Sequence, residues 1–277
     1  MLKSGLASSE FNNDAFRITD AHYGTTASLY HCNTCGFIFC PEMDEVLPYY
    51  EALQDPEYEN TREARALQAN KLLKIIRRYR ASGRLLDVGA GSGIMVEQAL
   101  KEGYDAEGIE PCAWLCAQAA KRKLPLHQGC LPNVAITGTY DVITLIDVIE
   151  HVSNPMDLLM QSMHHLAGDG VVVIVTPDVH SLAARLLRKR WWHYRVAHIG
   201  YFDRRTLQKA LANVYLTPIV WLRPAWFFPL SYLLIRLRNY IPFIDRLARW
   251  SWTQRITIPL NLRDSLLVIA RRTNASE

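Results

Sequence analysis

The sequence predicts an α/β fold built on a parallel, doubly wound sheet. Strand-like and helix-like segments alternate from residue 84 to residue 175, and the connections between strands are too long for hairpins. Residues 171–175 are almost entirely valine, as expected for a strand that is buried on both faces. The strand at residues 85–88 ends in glycines on alternate positions, a pattern typical of a turn that binds a nucleotide-type cofactor before a helix.

The composition is that of an ordinary globular protein. Of the 277 residues, 49% are hydrophobic and 21% are charged, so the chain can bury the core of one large domain with small additions. The net charge of +4 is small and no dense lysine run accompanies the arginines, so we expect no nucleic-acid partner. Residues 1–14 are polar, and no apolar run reaches the roughly 18 residues of a membrane span. These features predict a cytoplasmic protein whose six cysteines are reduced.

The predicted elements follow this alternation along the chain. Residues 1–30 show little periodicity and are expected to be loose, and residues 30–41 are expected to form a small hairpin ribbon. We predict an N-terminal extension over residues 1–55 and one α/β domain over residues 56–277. The predicted helices cover residues 57–80, 95–101, 111–123, 155–166, 180–190 and 204–213, and the predicted strands cover residues 85–88, 106–109, 124–128, 140–146, 171–175, 215–222 and 265–270.

The turn after the first strand has the sequence Asp87-Val-Gly89-Ala-Gly91-Ser-Gly93. Dinucleotide-binding turns usually have the spacing Gly-x-Gly-x-x-Gly, so alternate glycines favour a different nucleoside cofactor. A nucleoside with an amino-acid tail needs partners for an ammonium and a carboxylate. Asp87 can meet the ammonium, and the glycine N–H groups can meet the carboxylate. Glu110, which ends the second strand, is placed to hold two ribose hydroxyls, but a dinucleotide would use the same acid. An NAD(P)-dependent oxidoreductase therefore stays an alternative.

Three segments carry a family resemblance. They read Leu-Asp-Val-Gly-Ala-Gly-Ser-Gly from residue 86, Gly-Ile-Glu-Pro from residue 108, and Tyr-Asp-Val-Ile-Thr-Leu-Ile-Asp-Val-Ile-Glu-His-Val from residue 140. In this order and spacing they resemble class I S-adenosylmethionine-dependent methyltransferases over residues 84–272. The cysteine-containing N-terminal ribbon and a late His-x-x-Tyr-Phe segment at residues 198–202 make the chain similar to a small-molecule branch of that family and to ubiquinone-pathway-type O-methyltransferases.

The resemblance implies both a fold and a reaction. The fold is a Rossmann-like, seven-stranded, doubly wound sheet with a small N-terminal ribbon and a C-terminal aromatic and basic insert over residues 223–255. The reaction is methyl transfer (EC 2.1.1.-) from S-adenosyl-L-methionine to a small-molecule, sugar or lipid-linked acceptor. We expect O-methylation, with N- or C-methylation and a catalytically silent binding protein as alternatives.

The resemblance also assigns residues to parts of the donor. Asp87 and the first two glycines of the turn would hold the methionine part, and Glu110 would hold the ribose. Ile146 and Asp147 end the fourth strand and would lie beneath the sulfonium, since the carboxyl ends of neighbouring strands converge on one crevice. The residues expected against the donor are Asp87, Gly89, Gly91, Gly93, Glu110, Pro111, Cys130, Leu131, Ile146 and Asp147.

Two histidines are candidate catalytic residues. His151 follows the fourth strand, and an imidazole with a pKa of about 6.5 suits a base that takes a proton from an acceptor hydroxyl. His198, with Tyr201 and Trp192, is expected in a lid over the acceptor. The alternatives are a helix-start histidine that bonds only the backbone and a lid that merely packs on the sheet.

The N-terminal ribbon offers one candidate metal site. Cys32 and Cys35 have the spacing of one zinc knuckle, and Cys40 with His31 or His22 could complete a set of ligands. A second Cys-x-x-Cys pair is absent from the sequence. A degenerate ribbon that folds without zinc is therefore the alternative.

The end of the fourth strand offers a second candidate metal site. Asp147, Glu150 and His151 resemble the metal-ligating acid, glutamate and histidine of ubiquinone-pathway O-methyltransferases. Carboxylates and an imidazole could hold a divalent ion that acidifies an acceptor hydroxyl. One of the three would then not act as a base.

The insert is the least ordinary part of the composition. Residues 224–255 mix tryptophan, phenylalanine and tyrosine with arginine on short amphipathic stretches. Such a mixture is typical of a patch that lies on anionic lipid. We expect peripheral membrane contact or an amphiphilic acceptor here, with pocket closure or a dimer face as the alternative.

Overall fold

A computed structural model describes residues 1–6, 13–20, 22–43, 46–238 and 240–273. No helix among these residues is long and apolar enough to cross a bilayer. Part of the polar N-terminal stretch, residues 7–12, lies outside the described residues. The helices are α1 (Leu47–Glu51), α2 (Pro56–Asn60), α3 (Arg62–Ile76), α4 (Ile94–Lys101), α5 (Ala113–Lys121), α6 (Pro155–His164), α7 (Leu182–Leu187), α8 (Arg204–Asn213), α9 (Leu230–Leu237) and α10 (Ser251–Arg255). The strands are β1 (Tyr30–His31), β2 (Ile38–Phe39), β3 (Arg84–Val88), β4 (Asp105–Glu110), β5 (Leu126–Gln128), β6 (Tyr140–Ile146), β7 (Leu166–Pro177), β8 (Gly200–Tyr201), β9 (Leu216–Leu222), β10 (Trp226–Pro229), β11 (Thr257–Leu260) and β12 (Ser265–Arg272).

One seven-stranded sheet forms the centre of the molecule, in the order β5-β4-β3-β6-β7-β12-β9. The first five strands in that order are parallel, and β12 runs antiparallel to both β7 and β9. The strand order reverses between β3 and β6, and ligands of such sheets bind outside the carboxyl ends of the strands at this point. The predicted Rossmann-like, seven-stranded α/β fold is confirmed.

The valine run shows why the central strands are apolar on both faces. Val171, Val173 and Val175 pack into the hydrophobic core on one side of the sheet, whereas Val172 and Ile174 pack into the core on the other. Alternate side chains of a strand point to opposite faces, so a strand covered by helices on both sides needs apolar residues at every position.

Some predicted boundaries differ from those in the structure. The helix expected over residues 57–80 is divided at Thr61, whose hydroxyl donates to the Tyr58 carbonyl oxygen at 3.0 Å. The helix expected over residues 180–190 is regular only in α7. Residues 1–30, expected to be loose, are partly packed, since Phe16 and Leu29 are fully buried. Phe16 and Leu29 pack against residues distant in sequence, and such contacts cannot be predicted from local periodicity.

The predicted N-terminal ribbon is present and pairs with a strand late in the chain. Its strand β1 pairs with β2, and β2 pairs in turn with β8, opposite Gly200 and Tyr201. The ribbon therefore braces the late segment that contains His198.

The insert expected over residues 223–255 lies between β9 and β12, and the structure extends it to Leu260 at the end of β11. Its strands β10 and β11 form an antiparallel pair in which Trp226 lies opposite Leu260. Helix α9 follows β10 directly, and residues 244–249 and α10 pack beside it. Because β10 also approaches α3, the insert closes one side of the space above the sheet.

Candidate active site

A cavity of about 900 Å³ lies at the carboxyl ends of β3, β4 and β6. One wall is the glycine turn, a second wall carries His151 and His198, and the insert forms a third. Nine of the ten residues expected against the donor line this cavity. The exception is Gly93, which begins α4 with φ of 76° and faces Leu124 from behind the turn.

The glycine turn depends on backbone conformation and on the absence of side chains. Gly89 and Gly91 have φ of 71° and 56°, values that other residues adopt only with strain. A Cβ atom on Gly89 would lie 2.5 Å from Val148, and one on Gly91 would lie 2.4 Å from the Tyr58 hydroxyl. The turn therefore accepts only glycine at these two positions.

The glycine N–H groups do not point freely at a ligand, contrary to our expectation. Gly89 N donates to the Ile109 carbonyl oxygen at 2.9 Å, and Gly93 N donates to the Ala90 carbonyl oxygen at 2.9 Å. Gly91 N donates to Glu110 Oε2 at 2.8 Å. The turn is braced against β4, so the carboxylate of an amino-acid tail needs another partner.

Asp87 is held at the base of the cavity. Its Oδ1 accepts a hydrogen bond of 2.5 Å from the Thr144 hydroxyl on the neighbouring strand β6. The pKa of Asp87 is raised to about 7. Burial is the main cause and the nearby Glu110 adds to it, whereas the Thr144 hydrogen bond acts in the opposite direction. A buried carboxyl group of this kind is suited to a ligand that supplies the missing positive charge.

Glu110 is oriented by the backbone at the end of β4. Its two oxygens accept from Gly91 N at 2.8 Å and from Cys112 N at 2.9 Å. Burial raises the pKa of this carboxyl group, and the two N–H donors lower it. Each carboxylate oxygen can accept more than one hydrogen bond, so both stay able to receive ribose hydroxyls.

Two residues from the helices before β3 also line the cavity beside the glycine turn, and the sequence alone did not single them out. Tyr58 is buried against the glycine turn, and the Arg65 guanidinium lies 4.2 Å from the centre of its ring. Arg65 lines the cavity and lowers the pKa of Asp147. Arg65 lies in the helix predicted over residues 57–80, just before the strand of the glycine turn, and that position is the sequence signal for it.

Asp147 follows β6 in a left-handed conformation, with φ of 54°. Its backbone N–H donates to the Val175 carbonyl oxygen at 2.9 Å, which holds the residue at the edge of the sheet. Burial raises the pKa of the Asp147 side chain to about 7, partly opposed by Arg65.

His151 is fixed through one ring nitrogen. Its Nδ1 lies 2.8 Å from the Ala197 carbonyl oxygen, which can only accept, so the Nδ1 proton is donated there and Nε2 keeps a free lone pair. The Tyr50 hydroxyl lies against the same nitrogen. Burial lowers the pKa of His151 to about 3, rather than leaving it at the expected 6.5. The imidazole is therefore neutral throughout the physiological pH range.

His198 is also held through its Nδ1 atom by a backbone carbonyl oxygen, and it lies beside His151. Its Nδ1 lies 2.8 Å from the His193 carbonyl oxygen, and its ring meets the His151 ring with centres 4.7 Å apart. Burial lowers the pKa of His198 well below its usual value, and the nearby His151 contributes to the shift. The structure therefore brings the two candidate catalytic histidines into contact.

Glu150, His151 and His198 place one potential ligand atom each within 4.8 Å of one another. The Oε2 atom of Glu150 accepts from the Thr176 hydroxyl at 2.9 Å, whereas Oε1 has no hydrogen-bond partner among the described residues. Burial raises the pKa of Glu150 well above its usual value, and Asp147 adds to this effect. One carboxylate and two imidazoles could hold a divalent cation.

This is the only such group of three among the described residues, and it contains His198 in place of the expected Asp147. Cys32, Cys35 and Cys40 therefore do not converge as a three-ligand site in the described part of the chain. Cys40 is instead buried in the core beneath the ribbon, where burial raises its pKa to about 12. Cys32 is the more reactive thiol, since backbone N–H donors lower its pKa to about 7.

Among the expected lid residues, Trp192 is hydrogen-bonded beside the histidines, whereas the Tyr201 hydroxyl has no hydrogen-bond partner among the described residues. Trp192 Nε1 donates to Asp264 Oδ2 at 2.7 Å, and His193 Nε2 lies 3.2 Å from the same oxygen. Trp192 and His193 line the cavity, whereas Tyr201 is buried behind His198. The late segment is thus a fixed wall in this structure.

Comparison with known proteins agrees with this geometry. A family model described as a methyltransferase domain matches residues 59–218, more than half of the chain. The chain belongs to the S-adenosylmethionine-dependent methyltransferases. The family predicted from the three sequence segments is therefore confirmed.

Curated relatives match over a shorter region of the methyltransferase. The mitochondrial ubiquinone biosynthesis O-methyltransferase of Schizosaccharomyces pombe is 28% identical over 113 residues, which are 38% of this chain and 41% of that protein. The ubiquinone biosynthesis O-methyltransferase of Vibrio campbellii is 38% identical over 84 residues, which are 27% of this chain and 36% of that protein. The match thus spans about two fifths of the length of these relatives.

Solved structures share the fold at low sequence identity. A SAM-dependent methyltransferase of Thermotoga maritima has a TM-score of 0.51 and 15% identity, and the match covers 78% of this chain and 95% of that one. Magnesium protoporphyrin IX methyltransferase of Synechocystis, solved with bound SAH, has a TM-score of 0.52 and 11% identity, and covers 81% of this chain and 91% of that one. The methyltransferase therefore shares its fold with these structures over most of its length.

Proposed function

We propose that this methyltransferase transfers the methyl group of S-adenosylmethionine to a hydroxyl oxygen of a small-molecule acceptor. One observation carries the proposal: a single cavity joins Asp87 and Glu110 at one end to the neutral imidazole of His151 at the other. A donor of this kind supplies a methyl group on a positively charged sulfur, which leaves as a neutral thioether. In-line alignment of the acceptor with that group can supply much of the rate acceleration.

The donor end fits an aminoacyl nucleoside. Asp87 would hold the ammonium, because its buried carboxyl group gains a counter-charge there. Glu110 would accept from two ribose hydroxyls, and Pro111, Cys130 and Leu131 would surround the base. Arg65 would hold the carboxylate, since the glycine N–H groups are donated within the turn.

The acceptor end fits a proton transfer to His151. His151 would take the hydroxyl proton on its free Nε2 lone pair, while the acceptor oxygen would gain the methyl group and the sulfur of the donor would leave as a thioether. Glu150 Oε1 lies 4.0 Å from that nitrogen, so an ionised Glu150 would stabilise the imidazolium that forms. His198 would position the acceptor beside it. The names of the relatives from Schizosaccharomyces pombe and Vibrio campbellii support oxygen as the methylated atom.

The acceptor has an apolar part in this proposal. The wall opposite the histidines is formed by aromatic and aliphatic side chains of the insert, which include Trp226, Phe228 and Leu233. A purely polar sugar would leave these side chains poorly matched, whereas a phenol, or a sugar or hydroxyl group linked to a lipid, would bury apolar surface against them.

The test combines binding and turnover on the same purified protein. Calorimetry should show tight binding of S-adenosylhomocysteine and no binding of NADH. Incubation of a small-molecule extract with donor labelled in the methyl group should then label a compound on oxygen. Label found only on nitrogen or carbon, or NADH binding without S-adenosylhomocysteine binding, would contradict the proposal.

A metal-dependent form of the same reaction is the second candidate, because Glu150, His151 and His198 converge. A divalent ion there would acidify the acceptor hydroxyl. Dialysis against a chelator distinguishes the two forms. Full activity after chelation supports His151 as the proton acceptor, and activity restored only by added metal supports the ion.

A further inference from the structure

The second large feature of the molecule is a basic and apolar surface formed by two segments far apart in sequence. The first is residues 182–190, and the second is residues 235–256 of the insert. The Tyr240 hydroxyl donates to the Arg190 carbonyl oxygen at 2.7 Å and so joins the two. We call the described residues of these two segments the basic face.

The apolar side chains of the basic face are unusually exposed. Phe243 exposes 68% of its surface, Trp250 exposes 57% and Trp252 exposes 47%. Leu182 and Leu186, one turn apart on α7, expose 67% and 73%. Buried Ala248 and Thr253 anchor the insert beneath these side chains, so the exposed residues stand on a packed base. Clustered exposed apolar groups of this size mark an interaction surface.

The charge of the basic face is strongly positive. The first segment has four basic residues and no acid, and the second has five basic residues and one acid, Asp245. Arg236 of the second segment lines the cavity and donates to the Thr19 carbonyl oxygen, and the remaining charges of the two segments sum to +7, which exceeds the net charge of +4 of the whole chain. Asp245 pairs with Arg238 at 3.7 Å, and the described residues provide no ion pair for Arg246, Arg249 or Arg255. A ligand of the basic face would therefore have to be negatively charged.

The basic face also adjoins the acceptor end of the cavity. Leu187 of the first segment and Leu237 of the second both line the cavity. Leu237 exposes 39% of its surface, so the cavity opens beside the basic face. A partner on this face would lie next to the route by which an acceptor enters.

We propose that the basic face docks the protein on an anionic lipid bilayer and presents the cavity to it. Exposed tryptophan, phenylalanine and leucine would enter the interfacial region, while the arginines contact lipid phosphates. The sugar–phosphate backbone of a nucleic acid offers no apolar surface for the two exposed leucines of α7. Arginines and exposed aliphatic side chains on one surface therefore favour lipid over nucleic acid. The proposal does not depend on the methyl acceptor, because vesicle binding is measured without turnover.

Vesicle flotation of the full chain tests this docking. The vesicles are phosphatidylcholine alone, or equal parts of phosphatidylcholine and phosphatidylglycerol. The protein should float with the anionic vesicles only, and high salt should release it. Equal flotation with both kinds of vesicle, or with neither, would overturn the proposal.

Three variants locate the surface. A triple variant, Arg246→Gln, Arg249→Gln and Arg255→Gln, should lower the partition coefficient about a hundredfold, and the pair Trp250→Ala and Trp252→Ala should lower it about tenfold. A control removes three exposed charges from α4, α5 and the turn after α5 with Lys101→Gln, Lys121→Gln and Lys123→Gln, and should bind vesicles as the parent does. None of these side chains lines the cavity, so unchanged S-adenosylhomocysteine binding shows that each variant is folded.

A second copy of the chain is the competing occupant. If the parent protein is a dimer in solution and the tryptophan pair variant is a monomer, the basic face is an interface between copies and the proposal fails. It also fails if the lysine control loses vesicle binding as strongly as the arginine variant does.

Discussion

At the residue scale, the buried carboxyl group of Asp87 is suited to a cationic ligand, but its burial lowers the stability of the folded chain. Asp87 is buried with one hydroxyl partner, and this burial raises its pKa to about 7. Asp147, in the same cavity, also has its pKa raised to about 7 by burial. Both acids lie where a cationic ligand would bind. The two buried acids therefore favour a ligand that carries a positive charge, in addition to the Arg65 guanidinium that lines the same cavity.

This arrangement predicts that S-adenosylhomocysteine binds more weakly in acid. The ammonium needs an ionised Asp87, and the raised pKa means that the carboxyl group is mostly protonated below about pH 7. Affinity should fall about tenfold between pH 8 and pH 6, as calorimetry at each pH would show. Asp87→Asn should bind weakly with a flat pH profile. A slope that persists in this variant would assign the effect to Asp147 instead.

The glycine turn predicts a second residue-scale effect. Gly89→Ala should weaken S-adenosylhomocysteine binding and lower the melting temperature, because a Cβ there meets Val148 at 2.5 Å and φ is 71°. Gly103→Ala is the matched control, since its φ is 89° but no described atom lies within 4 Å of its Cβ. Each variant should carry about 1–2 kcal/mol of left-handed strain, and only Gly89→Ala adds the clash. Equal melting temperatures for the two variants would contradict this account.

At the scale of elements, two pieces outside the central sheet complete the site. Helix α3 brings Arg65 to the donor end, and the N-terminal ribbon pairs through β2 with β8 beside His198. Neither element belongs to the alternating βα core. The alternating βα core forms the crevice. Helix α3 adds the Arg65 guanidinium, and the N-terminal ribbon supports the wall that contains His198.

The position of α3 predicts how Arg65 recognises the donor. Arg65→Gln should weaken S-adenosylhomocysteine binding by about tenfold to a hundredfold, the range expected when a charged hydrogen bond is lost. Methylthioadenosine lacks the amino-acid tail, so its affinity should be unchanged. Arg78→Gln, on the turn after α3, is the control. Equal weakening of both ligands would show that Arg65 only supports the fold.

At the scale of the whole molecule, the buried acid of the donor site affects global stability. The pKa of Asp87 rises from 3.8 to about 7 on folding, so between these values the folded chain holds a proton that the unfolded chain has released. Stability of the unliganded protein therefore falls as pH rises through this range. The free-energy cost of burying the ionised Asp87 carboxylate is fully present above about pH 7.

We therefore expect Asp87→Asn to stabilise the unliganded protein at pH 8, because the amide keeps the Thr144 hydrogen bond and removes the buried charge. The melting temperature should rise by about 2–4 °C, the shift expected for about 1 kcal/mol in a domain of this size. Calorimetric unfolding at pH 8 and pH 4 provides the measurement. The gain should vanish at pH 4. Added S-adenosylhomocysteine should raise the melting temperature of the parent protein far more than that of the variant.

The sequence alone determined the sheet, the glycine turn and the family, because these depend on local patterns. Strands buried on both faces require continuous apolar runs, and a turn with positive φ requires glycine, so residues 85–93 and 171–175 could be interpreted without neighbours. Nine of the ten residues expected against the donor line the cavity for the same reason, since strand ends converge by topology.

Only the tertiary structure decided what surrounds these residues. It showed that the glycine N–H groups are occupied, that Arg65 faces the cavity, and that His198 joins Glu150 and His151. Burial then moved the pKa of His151 to about 3, a shift that no local pattern contains. Hydrogen-bond partners and desolvation depend on groups distant in sequence, and packing alone brings those groups together.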